Sequence, residues 1–336
     1  MIAKRMSAFS AYAAAIETGP AILPISKFAY AILGAMLFAD VAYVWISDFT
    51  WGSGPYANLL CIFLMSVGSA LLARRYQMPR IAAFLEATSF TGLAGLLTVC
   101  ATLIGGSLSG PFIDSQLIAA DRALGYDWHA VFQLSRAHPW VVHMLDYAYA
   151  SMGLQLIAVP VLLTIHGHSF RKWGFLTAWM VASLITILVF PFAPAEGAPI
   201  HFGLHPDAYS KSWFWQFGPR ILQLQVGDIR DISSGAMGIV SVPSFHAATG
   251  VMFIWAVWHL KWLRLPSSIL NALMVISTPI SGVHYMVDVL AGLAVGCASV
   301  VIARRLVTAG NETDETVKRF WLRPQSPLGE LVDAET

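Results

Sequence analysis

Two short motifs hold residue types that can do chemistry together, Pro243-Ser244-Phe245-His246 and His284-Tyr285-Met286-Val287-Asp288. If a helix opens at His284, then His284 and Asp288 are four residues apart on one face and can touch. A carboxylate so placed fixes the imidazole's tautomer and stabilises the charge it gains in reaction, which makes the pair a nucleophile or a base. Pro243 suits the first turn of a second helix that Ser241 or Ser244 can cap, leaving backbone N–H groups and the positive end of a helix dipole beside His246. An anion binds readily at such a helix end. A single histidine in an apolar chain is more often a hydrogen-bonded structural residue. Two, each opening an apolar run, one with an Asp four residues on and the other after Pro-Ser, point to chemistry instead.

Elements embedded in a membrane must position these motifs. The chain is 57% hydrophobic and 12% charged over 336 residues, with a mean hydropathy of +0.65; soluble domains are about half apolar and about a quarter charged. Apolar runs of spanning length fall near 27–47, 57–73, 81–105, 140–165, 173–192, 240–260, 266–280 and 284–303. The expected fold is therefore all-α, a polytopic bundle of about eight transmembrane helices with little room for a soluble domain. The N-terminus, with Lys4 and Arg5 followed by Glu17, Pro20 and Pro24, does not read as a cleaved leader. Cys61, Cys100 and Cys297 all sit in apolar runs and suggest neither a disulfide framework nor a metal site.

Charge tests the span count, because correct spans sort Lys and Arg onto alternate sides. Fifteen of the twenty fall on one side, in the N-terminus, the turns holding Arg74, Arg75, Arg80, Arg171, Lys172, Lys261 and Arg264, and the tail. The other side holds Arg122, Arg136, Lys211, Arg220 and Arg230. Both termini are thus expected in the cytoplasm, and both motifs at span starts on the extracytoplasmic face, with the plasma membrane as the expected location. Two long loops, about 106–139 and 193–239, lie on the motif side and are large enough for a lid or headgroup pocket. In the first, Phe112, Leu117, Leu124, Trp128 and Phe132 recur at near-helical spacing between acidic residues, the pattern of one or two interfacial amphipathic helices. The second carries Trp213-Phe214-Trp215, an interfacial anchor. Residues 1–80 read as additional spans, 81–305 as a catalytic core, and 306–336 as a polar cytoplasmic tail.

The motifs resemble those of the type 2 phosphatidic acid phosphatase superfamily, written P-S-G-H and S-R-x5-H-x3-D. Pro243-Ser244-Phe245-His246 matches the first with Phe for Gly; Ser277, His284 and Asp288 match the second, with Thr278 where Arg is the rule. The wording Pro-Ser-Phe-His-Ala with His-Tyr-Met-Val-Asp is similar to the inositol phosphorylceramide synthase and sphingomyelin synthase branch, which moves a phosphorylated headgroup between lipids. The resemblance spans roughly 140–303 and implies a six-helix phosphatase or phosphotransferase core. It implies His284 as nucleophile, Asp288 as its orienting partner and His246 as the acid on the leaving oxygen, with a phosphohistidine resolved by water or by an acceptor hydroxyl such as inositol or a lipid alcohol. No metal, cofactor or nucleic acid is implied.

Phosphoryl transfer needs cations and N–H donors around the phosphate oxygens. The superfamily's K-x6-R-P motif is not intact here; Lys211 precedes Gly218-Pro219-Arg220 at a slightly different spacing. With Thr278 in place of Arg, Lys211 and Arg220, together with Ser244, are the candidate phosphate ligands. Asp40, Glu86 and Asp146 are costly in hydrocarbon and should face the bundle or an interface. Asp146, Tyr147, Tyr149 and Gln155 fit either a lipid cavity or helix-to-helix hydrogen bonds. His201 and His205 have no spacing that favours a metal. The competing class is a transporter using His and Asp as a proton relay, although neither inverted repeats nor broken helices are evident.

Overall fold

In the computed structural model the described residues are 22–52, 55–204, 217–232 and 238–309. Lys211, His205, Trp213-Phe214-Trp215, the first 21 residues and the tail after 309 lie outside them. Twelve α-helices and no strand occur among the described residues. They are α1 (Ile22–Ile46), α2 (Pro55–Arg75), α3 (Pro79–Ser107), α4 (Asp114–Ala123), α5 (Trp128–Ala137), α6 (Pro139–Ile165), α7 (Ser169–Val189), α8 (Ala198–His201), α9 (Phe217–Val226), α10 (Phe245–Val257), α11 (Lys261–Ser281) and α12 (Met286–Ala309). The protein is an all-α polytopic bundle: α1, α3, α6, α7, α11 and α12 are each long and apolar enough to cross a membrane. α2 falls on the expected span 57–73, and α10 is a shorter apolar helix.

α7 lies at the centre through residues 171–183, which are buried on every side, and only its last turns emerge. Trp173, Phe175, Leu176, Ala178 and Met180 are fully buried. Arg171 and Lys172, expected in the preceding loop, are instead buried in its first turn. The Arg171 guanidinium donates to the Trp255 carbonyl at 3.0 Å and lies over the Trp255 ring, and Lys172 lies over Trp173. Their long apolar stems allow that burial.

α10 and α12 pack backbone to backbone through Gly292 and Gly296. A Cβ at Gly292 would run into the Ser244 carbonyl oxygen, and one at Gly296 into that of Ala248. Small residues four apart make such close approach possible in membrane helices. Hydrogen bonds join α6 and α11, where Asn271 donates to Gln155 Oε1 at 2.9 Å. Gln155 thus serves helix pairing, and Tyr147 on the same helix is 80% exposed. Glu86 is paired with Arg74 at 2.9 Å.

Three boundaries differ from the sequence expectation. α10 begins at Phe245 rather than 240, because the chain bends at Val242 and Pro243 and Ser244 caps the helix, its Oγ accepting from Ala247 N–H; Pro243, expected in the first turn, lies just before the cap. α11 reaches back to Lys261, five residues before the apolar run, because its first turns carry Lys261, Trp262 and Arg264 on an amphipathic face. α12 begins at Met286, so His284 lies in the loop two residues before the helix and not within it.

Candidate active site

The start of α12 is held by carboxylates. Asp288, the third residue of the helix, reaches back so that Oδ2 accepts the Tyr285 N–H at 3.0 Å, half of a capping box. The next two N–H groups, those of Met286 and Val287, donate to Asp121 Oδ2 and Oδ1 at 2.9 and 2.8 Å. Asp121 belongs to α4, which with α5 forms the amphipathic layer expected over this end of the bundle. Burial pushes the Asp121 carboxyl up from its ordinary range, and the two N–H bonds pull the other way. Asp114, two turns earlier on the same helix face, accepts the N–H groups of Glu196 and Gly197 and the Tyr285 hydroxyl at 3.0, 3.1 and 2.7 Å. Burial and the Asp114 carboxylate hold the Tyr285 phenol far above its usual range, so it stays a donor. α5 is tied down by Trp128 Nε1, which donates to the Pro279 carbonyl at 2.9 Å.

Within this frame His284 and Asp288 are 2% and 0% exposed. His284 Nδ1 is 3.7 Å from Asp288 Oδ2, longer than a formed hydrogen bond. Among the described residues Nδ1 of His284 and Oδ1 of Asp288 have no hydrogen-bond partner, and a His–carboxylate contact of this length can tighten when a ligand binds. Turning Nδ1 to the carboxylate leaves Nε2 as the nitrogen that can reach a substrate. Asp288 is fixed from a second side by Ser241, whose hydroxyl donates to Oδ2 at 3.0 Å. Of the two serines considered as caps, Ser244 is the cap and Ser241 orients the carboxylate.

His246, in the first turn of α10, stacks on Tyr149 of α6 with ring centroids 3.8 Å apart and 15° between the planes. Its ring centroid is 6.4 Å from that of His284. Gly282 lies beside this meeting, where a Cβ would run into the Thr278 carbonyl oxygen and crowd Tyr149 and His284 at 3.0 and 3.1 Å. The N–H groups of Phe245 and His246 have no intrahelical acceptor. Thr278, standing where the superfamily has Arg, turns its hydroxyl to its own helix, donating to Val275 O at 2.7 Å. Ser277 does the same to Met274 O at 2.6 Å.

The fold thus brings together His246, His284, Asp288 and Ser244. Arg220 is half-buried on α9, whose Gly218 packs against Glu196. Asp114, Asp121, Tyr149, Ser241 and Tyr285 are site residues that the motifs did not single out. Ser241 and Tyr285 lie in or beside the motifs, whereas Asp114, Asp121 and Tyr149 join only in space. Beside Asp121 a cavity of about 250 Å³ is lined by Arg122, Tyr126, Trp128 and His129. His201, read from sequence as without ligand spacing, lies with Asp114 and Glu196 so that one ligand atom from each is within 4.8 Å of the others. Three donors already occupy the Asp114 carboxylate, and His201 Nδ1 pairs with Glu196 Oε1 at 3.1 Å.

No curated protein and no solved structure matches the chain. The profile of the PAP2 superfamily matches residues 115–302, more than half of the chain and a stretch that holds both motifs, and the chain therefore belongs to that superfamily of phosphatase- and phosphotransferase-type proteins.

Proposed function

We propose that the protein is a lipid phosphotransferase that moves a phosphoryl or phospho-headgroup unit from a lipid phosphate to a hydroxyl acceptor, through a phosphohistidine on His284. The observation that carries this reading is the juxtaposition of the buried His284–Asp288 pair with His246, ring centroids 6.4 Å apart. That separation fits a phosphorus between the two rings, with Nε2 of His284 at roughly 3 Å on one side and the leaving oxygen within reach of His246 on the other. Nε2 forms the bond to phosphorus, the P–O bond to the leaving group breaks, and His246 delivers the proton to that oxygen. An acceptor hydroxyl then attacks the phosphohistidine and returns its proton to His246. Asp288 stabilises the charge on the imidazole.

The open N–H groups at the start of α10 and the Ser244 hydroxyl are suited to the phosphate oxygens, with Arg220 and Lys211 as the proposed cationic clamp. The chemistry asks for no metal or cofactor. The charge sorting of the loops supports an extracytoplasmic site in the plasma membrane, with both termini in the cytoplasm. Residues 81–305 would then be the catalytic core and 1–80 additional spans.

The H-Y-x-x-D wording favours a transferase. The second reading is a lipid phosphate phosphatase with water as acceptor, favoured by the superfamily match itself. Purified protein given a labelled lipid phosphate, with and without inositol or diacylglycerol, separates the two: label passing to the acceptor supports transfer, whereas free phosphate alone supports hydrolysis. His284→Ala should abolish both turnover and an acid-labile labelled protein. Full activity in that variant would end both readings, and loss of activity in a chelator would end metal independence.

A further inference from the structure

One large cavity shares no lining residue with the paired histidines. It is a cleft of about 1080 Å³ between α1, α3 and α7, larger than the roughly 300–1,000 Å³ that hold most small ligands. Its walls are apolar, with Ile32, Met36, Ile104, Leu184 and Leu188 among them. Phe192 at its mouth is 85% exposed and Leu108 58% exposed. One carboxyl breaks this lining. Asp40 is 2% exposed, faces the cleft, and its Oδ2 has no hydrogen-bond partner among the described residues.

An unpartnered carboxyl oxygen in hydrocarbon is costly in either protonation state, because at least one acceptor position stays unfilled. Such a group is retained at a cost in stability when a ligand completes it. Asp40 stands six residues before the end of α1, so about 9 Å below it along the axis. That is the depth of a lipid's upper chain, and it lies at the motif end of the bundle, where Thr50 after α1 bonds to Arg230 at 2.7 Å. The rim of the cleft is joined to the catalytic frame: Gly110 N–H donates to Pro191 O, Ile113 N–H donates to Pro194 O, and Asp114 follows directly. α1 precedes both the proposed catalytic core and the stretch matched by the superfamily profile, whereas α7 belongs to both, so the cleft forms where an additional span meets the core.

We propose that the cleft binds a neutral lipid alcohol, a long apolar chain whose free hydroxyl pairs with Asp40. A hydroxyl both donates and accepts, so it completes the carboxyl in either protonation state. A lipid phosphate brings acceptor oxygens and negative charge against a carboxyl and is disfavoured. The cavity and Asp40 carry the binding site by themselves; its use, as the place of the acceptor or of the dephosphorylated product, rests on the function proposed above.

The test uses the full chain in phosphatidylcholine vesicles with a photoactivatable diacylglycerol, in a His284→Ala background so that binding is read without turnover. Saturable labelling of α1, α3 and α7 is expected, competed by unlabelled diacylglycerol and not by phosphatidate. Asp40→Leu should weaken the competition about tenfold while leaving the melting temperature equal or higher, and Asp40→Asn should retain most of the binding. Ala35→Trp, at an exposed position lining the cleft, should block labelling without touching the carboxyl. Labelling that does not saturate is ordinary boundary lipid and overturns the proposal. So does equal competition by phosphatidate, or labelling that neither Asp40→Leu nor Ala35→Trp changes. Failure here leaves the His284 chemistry standing, and an inactive wild type would leave the cleft standing.

Discussion

Histidines gather at both ends of α10, in opposite surroundings. At its start His246 faces His284, with Asp288 behind His284 and Asp121 and Asp114 around the loop that carries it. Past its end His259 packs edge-on against His168 at 3.9 Å, with His166 and Arg171 nearby. Burial, then these neighbours, push His168 down to about 4 and His259 to about 3. Both ring nitrogens of His259 are buried, and the Ala256 backbone, the one group beside the ring that favours its charged form, offsets only part of the shift. Imidazole becomes a useful nucleophile or acid where an anion supports its charged form; among cations and apolar walls it stays neutral. The two clusters share a residue type and differ in the charge beside it.

The strongest way to break this contrast is to remove the anion. Asp288→Asn keeps the oxygen that Ser241 and Tyr285 can use but loses the charge, and kcat should fall by about 10³–10⁴-fold. A loss under tenfold would show that the carboxylate does not support the imidazolium. Next in size is the packing that joins the motifs. Gly292→Ala drives a methyl into the Ser244 carbonyl, and backbone cannot yield as a flexible side chain does. A loss of about 1–3 kcal/mol in unfolding is expected, with activity falling as His246 moves from His284; wild-type stability would mean that α10 and α12 are not held at this distance. Asp121→Ala is milder. It strips the acceptor from two N–H groups, costing about 1–3 kcal/mol, and loosens the loop of His284, so kcat should drop by up to about 10²-fold with KM little changed. If KM rises and kcat holds, Asp121 binds substrate instead of positioning the nucleophile.

Much of this arrangement could be read before any coordinates. The spans follow from lengths of apolar sequence, and both motifs stand out because ionisable residues within apolar runs are rare. What sequence could not supply is position set from afar. His284 lies outside α12 because Asp121, 165 residues away, takes the N–H of Met286 and so fixes where the helix begins. The stack of Tyr149 on His246 likewise joins two helices whose spacing in sequence says nothing of contact. Sequence offers Ser241 and Ser244 equally as caps, and only the bend at Val242 and Pro243 places Ser244 at the helix start. One signal was present and unread: Gly292 and Gly296, four apart, mark the face where α12 meets α10. The Lys211 and Arg220 clamp stays a matter of sequence spacing, since Lys211 lies outside the described residues and Arg220 sits on the flanking α9.

The smallest expected effect belongs to the other histidine cluster and appears only in acid. Unfolded, His168 and His259 titrate near 6.5, whereas folded they do so at about 4 and about 3. Between those values the unfolded chain binds protons that the folded protein does not, so stability rises with pH across the window and is lost as pH falls from about 6.5 towards 4 and 3. Above pH 7 both states are neutral at these sites and nothing changes. Melting temperatures of wild type and of a His168→Gln, His259→Gln double variant, taken between pH 7.5 and 4, read this directly. The wild type should lose more on acidification, the variant's curve should be flatter, and turnover near pH 7.5 should be the same in both, because neither residue touches the reacting end of α10. Parallel curves would mean that the buried rings accept protons as easily folded as unfolded. The difference between the two clusters would then lie in geometry and not in charge.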